Sequence, residues 1–193
     1  MRVIAGSAGG IQLQVPNRGV RPTMDRVKAA IFSSLADKVQ GARVLDLFAG
    51  SGGLAIEALS RGAASALLVD HDRKAVEAIE QNLRKAKVHA KTRQQDVFEF
   101  LKNARSLGQY DLVFADPPYE PAISGNSFTD LLLSNEGLFN LVGADGVFVL
   151  EKRPGEPVTG NRLWQITRRK AYGATEVLFL VGRAQSAVGE SNS

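Results

Sequence analysis

Leu112-Val113-Phe114-Ala115-Asp116-Pro117-Pro118-Tyr119 runs from four apolar residues into a carboxylate, two prolines and an aromatic ring. The apolar run lacks polar alternation, the pattern of a strand buried on both faces in a parallel sheet. Pro117 and Pro118 hold φ at about −65° and cannot donate main-chain hydrogen bonds, so the following loop is stiff. Pro117 also drives Asp116 out of the helical region. Open α/β sheets bind ligands at the carboxyl ends of their strands, where this loop stands. Asp116 offers one acceptor there, the Pro117 carbonyl a second, and Tyr119 a flat face. Two acceptors beside a ring suit a planar group carrying an NH2, such as a nucleobase or an amide. The competing reading is a plain strand-to-loop turn with an incidental Asp.

Working outward, strand and helix patterns alternate. Val44–Phe48 reads as a strand, Ala49–Gly53 as a tight loop and Leu54–Arg61 as a helix; Ala66–Val69 is a strand that ends at Asp70. A helix from Asp72 or Arg73 to Lys87 carries Ala75, Val76, Ile79 and Leu83 on one side. A short strand at 90–93, a helix from Val97 to Ala104 and the Leu112 strand follow. Leu131–Leu133 and Leu138–Val142 read as helical pieces, and Val147–Leu150 as a strand. Upstream, Thr23 caps a helix spanning Met24–Asp37. Residues 1–22 hold two short apolar runs around Gly6–Gly10 and read as a small hairpin arm. Leu163–Ala171 and Thr175–Val181 form a terminal β-hairpin. The pattern predicts an α/β, doubly wound, mostly parallel sheet. It also predicts one domain over 1–183 and a flexible tail over 184–193.

Composition narrows the chemistry. With 193 residues and 44% hydrophobic content the chain can bury a sizeable core. The absence of cysteine excludes disulfides, thiolate metal ligands and a cysteine nucleophile, and the two histidines, His71 and His89, argue against a histidine-rich metal site. No metal is expected. No apolar run reaches the length of a membrane span and the amino terminus lacks a signal-peptide core, which predicts a soluble, cytoplasmic protein. The net charge of +4 is compatible with a polyanionic partner.

Gly50-Ser51-Gly52-Gly53-Leu54-Ala55, with Asp70 twenty residues on, fits a dinucleotide fingerprint. Asp46 points elsewhere. A carboxylate four residues before Gly50 repels a pyrophosphate and attracts an ammonium or sulfonium centre. S-adenosylmethionine carries both and has no phosphate. A carboxylate that caps local backbone N–H groups is the alternative for Asp46. Asp70 is placed to accept both ribose hydroxyls of a bound nucleoside. Asp96 would accept an adenine amino group, with the Val97 N–H donating to the ring, or else would cap the next helix. His71 either flanks the adenine or stands exposed at a helix entry.

Val-Leu-Asp-Leu-Phe-Ala-Gly-Ser-Gly (44–52), Val-Asp (69–70), Gln-Asp-Val (95–97) and Asp-Pro-Pro-Tyr (116–119) resemble the ordered motifs of a class I S-adenosylmethionine-dependent amino-methyltransferase. Arg-Pro-Thr-Met-Asp-Arg-Val (21–27) and Tyr-Gly-Ala-Thr-Glu-Val (172–177) resemble, more narrowly, the RsmD-like family. The resemblance implies a Rossmann-like, seven-stranded fold and methylation of the exocyclic N2 of a guanine in small-subunit (16S) ribosomal RNA, naked or within the assembled subunit. It implies Asp116, Pro117, Pro118 and Tyr119 as catalytic residues. It assigns the cofactor to Asp46, Phe48, Ala49, Gly50, Ser51, Gly52, Asp70, His71, Asp96 and Val97, with Thr23 and Arg21. Arg21 pairs either with the cofactor carboxylate or with an RNA phosphate. Arg18, Arg26, Arg168, Arg169 and Lys170 form a candidate phosphate-facing patch. The family's N-terminal hairpin is usually basic, whereas here it reads Ala8-Gly9-Gly10-Ile11-Gln12, so that RNA contact is weakened or made elsewhere.

Other readings compete. Asp-Pro-Pro-Tyr also suits adenine N6, cytosine N4 or a protein glutamine amide as methyl acceptor. A nicotinamide-dependent oxidoreductase would use the same glycine loop, but Asp46 opposes it. A non-catalytic RNA-binding module would have no need of acids at 46, 70, 96 and 116.

Overall fold

The computed structural model describes residues 1–15, 23–119, 125–159 and 161–183; at 23, 24, 105 and 161 the backbone alone is described. Helix α1 (Thr23–Leu35) precedes β1 (Arg43–Leu47), α2 (Gly53–Ser60), β2 (Ser65–Asp70), α3 (Arg73–Ala86), β3 (Lys91–Gln94), α4 (Val97–Asn103) and β4 (Tyr110–Ala115). Two short helices, α5 (Phe128–Leu133) and α6 (Glu136–Leu141), lead into β5 (Val142–Lys152), followed by β6 (Trp164–Tyr172) and β7 (Thr175–Gly182). These strands form one sheet in the order β3-β2-β1-β4-β5-β7-β6. The first five pair in parallel, and β7 runs antiparallel to both β5 and β6. The doubly wound sheet and its terminal hairpin are as the sequence predicts. The strand order reverses between β1 and β4, the point where such sheets open a crevice at their carboxyl ends.

Each face of the sheet carries three helices. Val44, Leu68, Leu112, Phe114 and Val149 pack with residues of α1, α2 and α3 on one face. Leu45, Leu47, Val69, Val113 and Phe148 pack with α4, α5 and α6 on the other. Successive residues of a strand point to opposite faces, so each central strand needs apolar residues at every position.

Two of the boundaries that depart from the sequence expectation have a clear physical cause. Helix α1 stops at Leu35, because Ala36 takes φ +46° and a 3₁₀ turn occupies Ala36–Val39. Val142 starts β5 rather than ending α6: it pairs with Tyr110, and the register then jumps to Leu112 opposite Val147. Ladder pairing with Tyr110 outweighs the helical spacing of Leu138–Val142.

The N-terminal arm is a hairpin-like loop closed by the Val3 N–H to Ile11 carbonyl and Leu13 N–H to Met1 carbonyl bonds, each 2.9 Å. It docks on α2. Glu57 is fully buried and accepts the Ile4 and Ala5 N–H groups at 2.7 and 3.1 Å. The same carboxylate pairs with Lys28 at 3.3 Å and Arg61 at 2.7 Å, joining arm, α1 and α2. Gly6 is required at φ +83°, since a Cβ there would lie 1.8 Å from the Ser60 carbonyl oxygen. Glu57→Ala strands the buried Lys28 ammonium and two backbone donors. It is expected to lower stability by about 3–5 kcal/mol, or roughly 10 °C in thermal midpoint; an unchanged midpoint by circular dichroism would contradict this role.

Candidate functional site

A cavity of about 500 Å³ opens at the carboxyl ends of the parallel strands, bordered by Asp46, Gly50, Asp70, Asp116, Tyr119 and Glu151. Four of its acids come from four adjacent strands, β2, β1, β4 and β5, each within one residue of the strand end. They also share a face. Asp46 follows Val44, Asp70 follows Leu68, Asp116 follows Phe114 and Glu151 follows Val149, and all four of those apolar residues pack on the α1–α3 side.

The glycine turn lies between β1 and α2. Phe48, Gly50 and Gly52 all take positive φ, at 56°, 55° and 76°. For Phe48 that region is costly, a strain that locates a constrained turn at the cavity wall. The Gly50 N–H donates to Asp70 Oδ2 at 2.8 Å, and the Asp72 N–H donates to Asp70 Oδ1 at 2.9 Å. Asp70 thus ties the turn to the end of β2. Ala49 and Ser51 line the cavity beside Phe48. Gly52 does not: a Cβ there would meet Leu68 at 3.0 Å and Ile56 at 3.3 Å, so its glycine serves close packing of α2 on the sheet.

Negative charge dominates the cavity. Asp46 is buried and accepts the Ala55 N–H at 3.1 Å, so it does cap local backbone. Burial raises its carboxyl well above the ordinary range; the Ala55 bond opposes this, and the Asp116 and Asp70 charges add to it. Asp116 keeps accessible surface, but that surface faces the cavity it lines. Enclosure by protein raises its carboxyl to about 6. Glu151 is raised well above the usual range, first by burial and then by the Asp116 and Asp46 charges. Lys28, which also borders the cavity, is engaged by Glu57 and the Arg2 carbonyl. Such a site repels a pyrophosphate and suits a cation.

The Asp-Pro-Pro-Tyr loop forms the other wall. Pro117 is buried and Pro118 exposed. The Tyr119 hydroxyl lies 2.8 Å from Thr175 Oγ1 on β7, which fixes the ring against the terminal hairpin. Arg153 donates to the Tyr119 carbonyl at 2.8 Å and places its guanidinium carbon 5.8 Å from the ring centroid.

Several expected residues sit elsewhere. Asp96 caps α4, its Oδ1 accepting the Phe98 and Glu99 N–H groups, and neither Asp96 nor Val97 borders the cavity. Val97 is buried in the core on the α4–α6 face. His71 does border the cavity, exposed at its rim with its Nδ1 3.7 Å from Asp70. Arg18 and Arg21, and the side chain of Thr23, lie outside the described residues. Arg26 is exposed on α1. Arg168 and Lys170 reach Ser34 of α1, at 3.5 Å to its carbonyl and 3.0 Å to its hydroxyl. Arg169 turns to the opposite face and pairs with Glu176 at 3.5 Å.

Sequence reading missed Glu151, Thr175 and Asn82. Glu151 carried the same signal as Asp70 and Asp116, an acid where an apolar strand run ends. Asn82, fully buried on α3, donates to the Gln14 and Ser51 carbonyls and accepts the Gln14 N–H, lashing the arm to the glycine turn. Nothing local distinguishes it from a solvent-facing helical Asn.

Comparison with known proteins bears on this geometry. A family model described as "Conserved hypothetical protein 95" matches residues 1–181. "Ribosomal RNA small subunit methyltransferase D" of Escherichia coli is 40% identical over 198 aligned positions, covering 100% of this chain and 94% of the relative. The protein of the same name from Haemophilus influenzae is 32% identical, covering 90% of this chain and 89% of the relative. A solved structure described as "Putative methyltransferase yhhF from Escherichia coli" superposes with a TM-score of 0.77 at 32% identity, covering 96% of this chain and 99% of that one. With a Rossmann-like class I methyltransferase fold and a match over nearly its whole described length, the chain belongs to the Conserved hypothetical protein 95 family, the RsmD-like family its motifs resemble.

Proposed function

We propose that this protein transfers the methyl group of S-adenosylmethionine to the exocyclic N2 amino group of a guanine in small-subunit ribosomal RNA. One observation carries the reading: Asp116 and Pro117 border the same cavity as Asp46 and the Gly50 turn. The names of the Escherichia coli and Haemophilus influenzae relatives support ribosomal RNA as the substrate. The wall chemistry fits the cofactor, because three carboxyls of raised proton affinity, Asp46, Asp116 and Glu151, await positive charge.

When bound, S-adenosylmethionine supplies an electrophilic methyl on a positively charged sulfur. Asp46 would hold its ammonium group, and Asp70, whose oxygens keep further lone pairs, would accept from its ribose hydroxyls. On the other wall, an aromatic amine is a weak nucleophile because its lone pair is delocalised into the ring. Asp116 and the Pro117 carbonyl accept its two N–H groups, which favours a pyramidal nitrogen and fixes its direction of attack. Tyr119, held by Thr175, stacks on the extruded base. Transfer exchanges the sulfur–carbon bond for a nitrogen–carbon bond, leaving a neutral thioether and a positive nitrogen, whose proton Asp116 or water would take. A carboxyl titrating at about 6 suits that task near neutral pH. Arg26, Arg168 and Lys170 meet RNA phosphates, with Arg168 and Lys170 braced by Ser34.

Two outcomes test this. Asp116→Ala is expected to cut labelled methyl transfer onto undermethylated small subunits by about 10²- to 10⁴-fold while calorimetry still detects cofactor binding; near-normal turnover would refute the assignment. The raised carboxyls set the sign of the second. Below about 6 Asp116 is protonated, and burial shifts Asp46 and Glu151 in the same direction, toward their neutral forms, so cations bind worse in acid. Affinity for S-adenosylmethionine should therefore strengthen as pH rises from 5 to 7.5, by up to about tenfold per unit for each carboxyl that ionises, and a flat profile would count against the cationic site.

A further inference from the structure

Glu151 has no part in gripping the amine or the ribose, yet the sheet delivers it to the reacting end of the cavity. Ala115 pairs with Leu150 in the parallel β4–β5 ladder, so Asp116 and Glu151 are the next residues along two neighbouring strands. Both continue the α1–α3 face and both border the cavity. Parallel strands lie about 4.8 Å apart, which sets the two carboxyls side by side. Across the sheet Glu151 is on the far side of Asp116 from Asp46 and Asp70, hence on the target side rather than the nucleoside side.

The strand end that carries it is clamped. Lys152, pointing to the opposite face, is 1% exposed and donates to Glu176 Oε2 and the Arg153 carbonyl, both at 2.7 Å. Backbone pairing with β7 through Glu151–Val177 and Lys152–Glu176 holds the same stretch. Among the described residues the Glu151 carboxyl makes no hydrogen bond or ion pair. A rigidly presented, half-buried acceptor facing a cavity is built for a ligand donor.

We propose that Glu151 selects the base: its carboxylate accepts the ring N1–H of the guanine whose adjacent N2 amine is held by Asp116. The inference rests on the reading of the site as an amino-methyltransferase and adds what tells one amine from another. Guanine is the one standard RNA base with a ring N–H next to its amine. Adenine and cytosine carry a bare ring nitrogen in that place, whose lone pair would face the Glu151 oxygens. Two adjacent acceptors therefore match guanine and reject the other two by an unpaired buried acceptor and lone-pair repulsion. The ring N–H and the cationic cofactor both favour the ionised carboxylate, opposing the burial and the neighbouring acids that raise it in the free protein.

The test compares small subunits reconstituted with either guanine or 2-aminopurine at the nucleotide that labelled methyl transfer identifies. 2-Aminopurine keeps the N2 amine and lacks the N1–H. The wild-type protein is expected to favour guanine by about 10- to 100-fold in kcat/KM. Glu151→Ala should bring that ratio to within about threefold of unity, whereas Glu151→Gln, which keeps an acceptor oxygen, should retain most of it. Equal use of the two bases by the wild type overturns the inference without any variant. So does a Glu151→Ala protein that keeps the preference, or a wild type that methylates adenine or cytosine in place of guanine. Absence of methyl transfer to any RNA by the wild type would instead defeat the underlying enzymatic reading.

Discussion

Side chains alternate along a strand, and parallel neighbours in register present matching faces; on that geometric constraint the cavity depends. Asp70, Asp46, Asp116 and Glu151 are separated by up to 105 residues of chain, yet each lies two positions beyond an apolar residue packed on the α1–α3 face. The ladder makes them a row. Crowding carboxyls in partial isolation from water raises their proton affinity, which is unfavourable in the free protein and turns favourable beside a cation. The hydrophobic sheet supplies the alignment, and the electrostatic cost stored there sets what can bind.

Supporting contacts surround this row. The arm is lashed to the glycine turn by Asn82 and to α2 by Glu57, so the segment that borders the cavity through Met1 and Val15 is fixed at both ends of its contact. On the opposite wall, Thr175 and Arg153 hold Tyr119, and the Lys152–Glu176 pair holds the end of β5. Both walls are therefore anchored to secondary structure rather than left to loop conformations, as positioning of two reactants demands.

How far all this is legible in the sequence depends on the range of the interactions concerned. Strands β1, β2 and β4 announce themselves by apolar runs ending in acids, and the glycine turn by its spacing, because both are local signals. Gly52 shows the limit: a glycine inside a ligand motif serves the core, since Leu68 and Ile79 come from elements it cannot see locally. Asp96 suits a ligand or a helix cap in sequence, and it does cap α4, because the Phe98 and Glu99 N–H groups lie two and three residues away. Val142 followed α6 by periodicity but joined β5 through Tyr110, a partner from another strand. Arg168, Arg169 and Lys170 look like one patch in sequence, but strand alternation sends Arg169 to the other face.

The alternation at the end of β5 also bears on how the family can vary in length. Glu151 faces the cavity and Lys152 the far side of the sheet, so inserting or deleting one residue between Val147 and Leu150 would exchange them, putting an ammonium where an acid belongs. The irregular stretch between Val142 and Val147, where four residues intervene opposite Asp111 alone, can take up the same change without moving the strand end. Evolutionary gaps in homologues should therefore gather at the entrance of this strand and be purged from its exit.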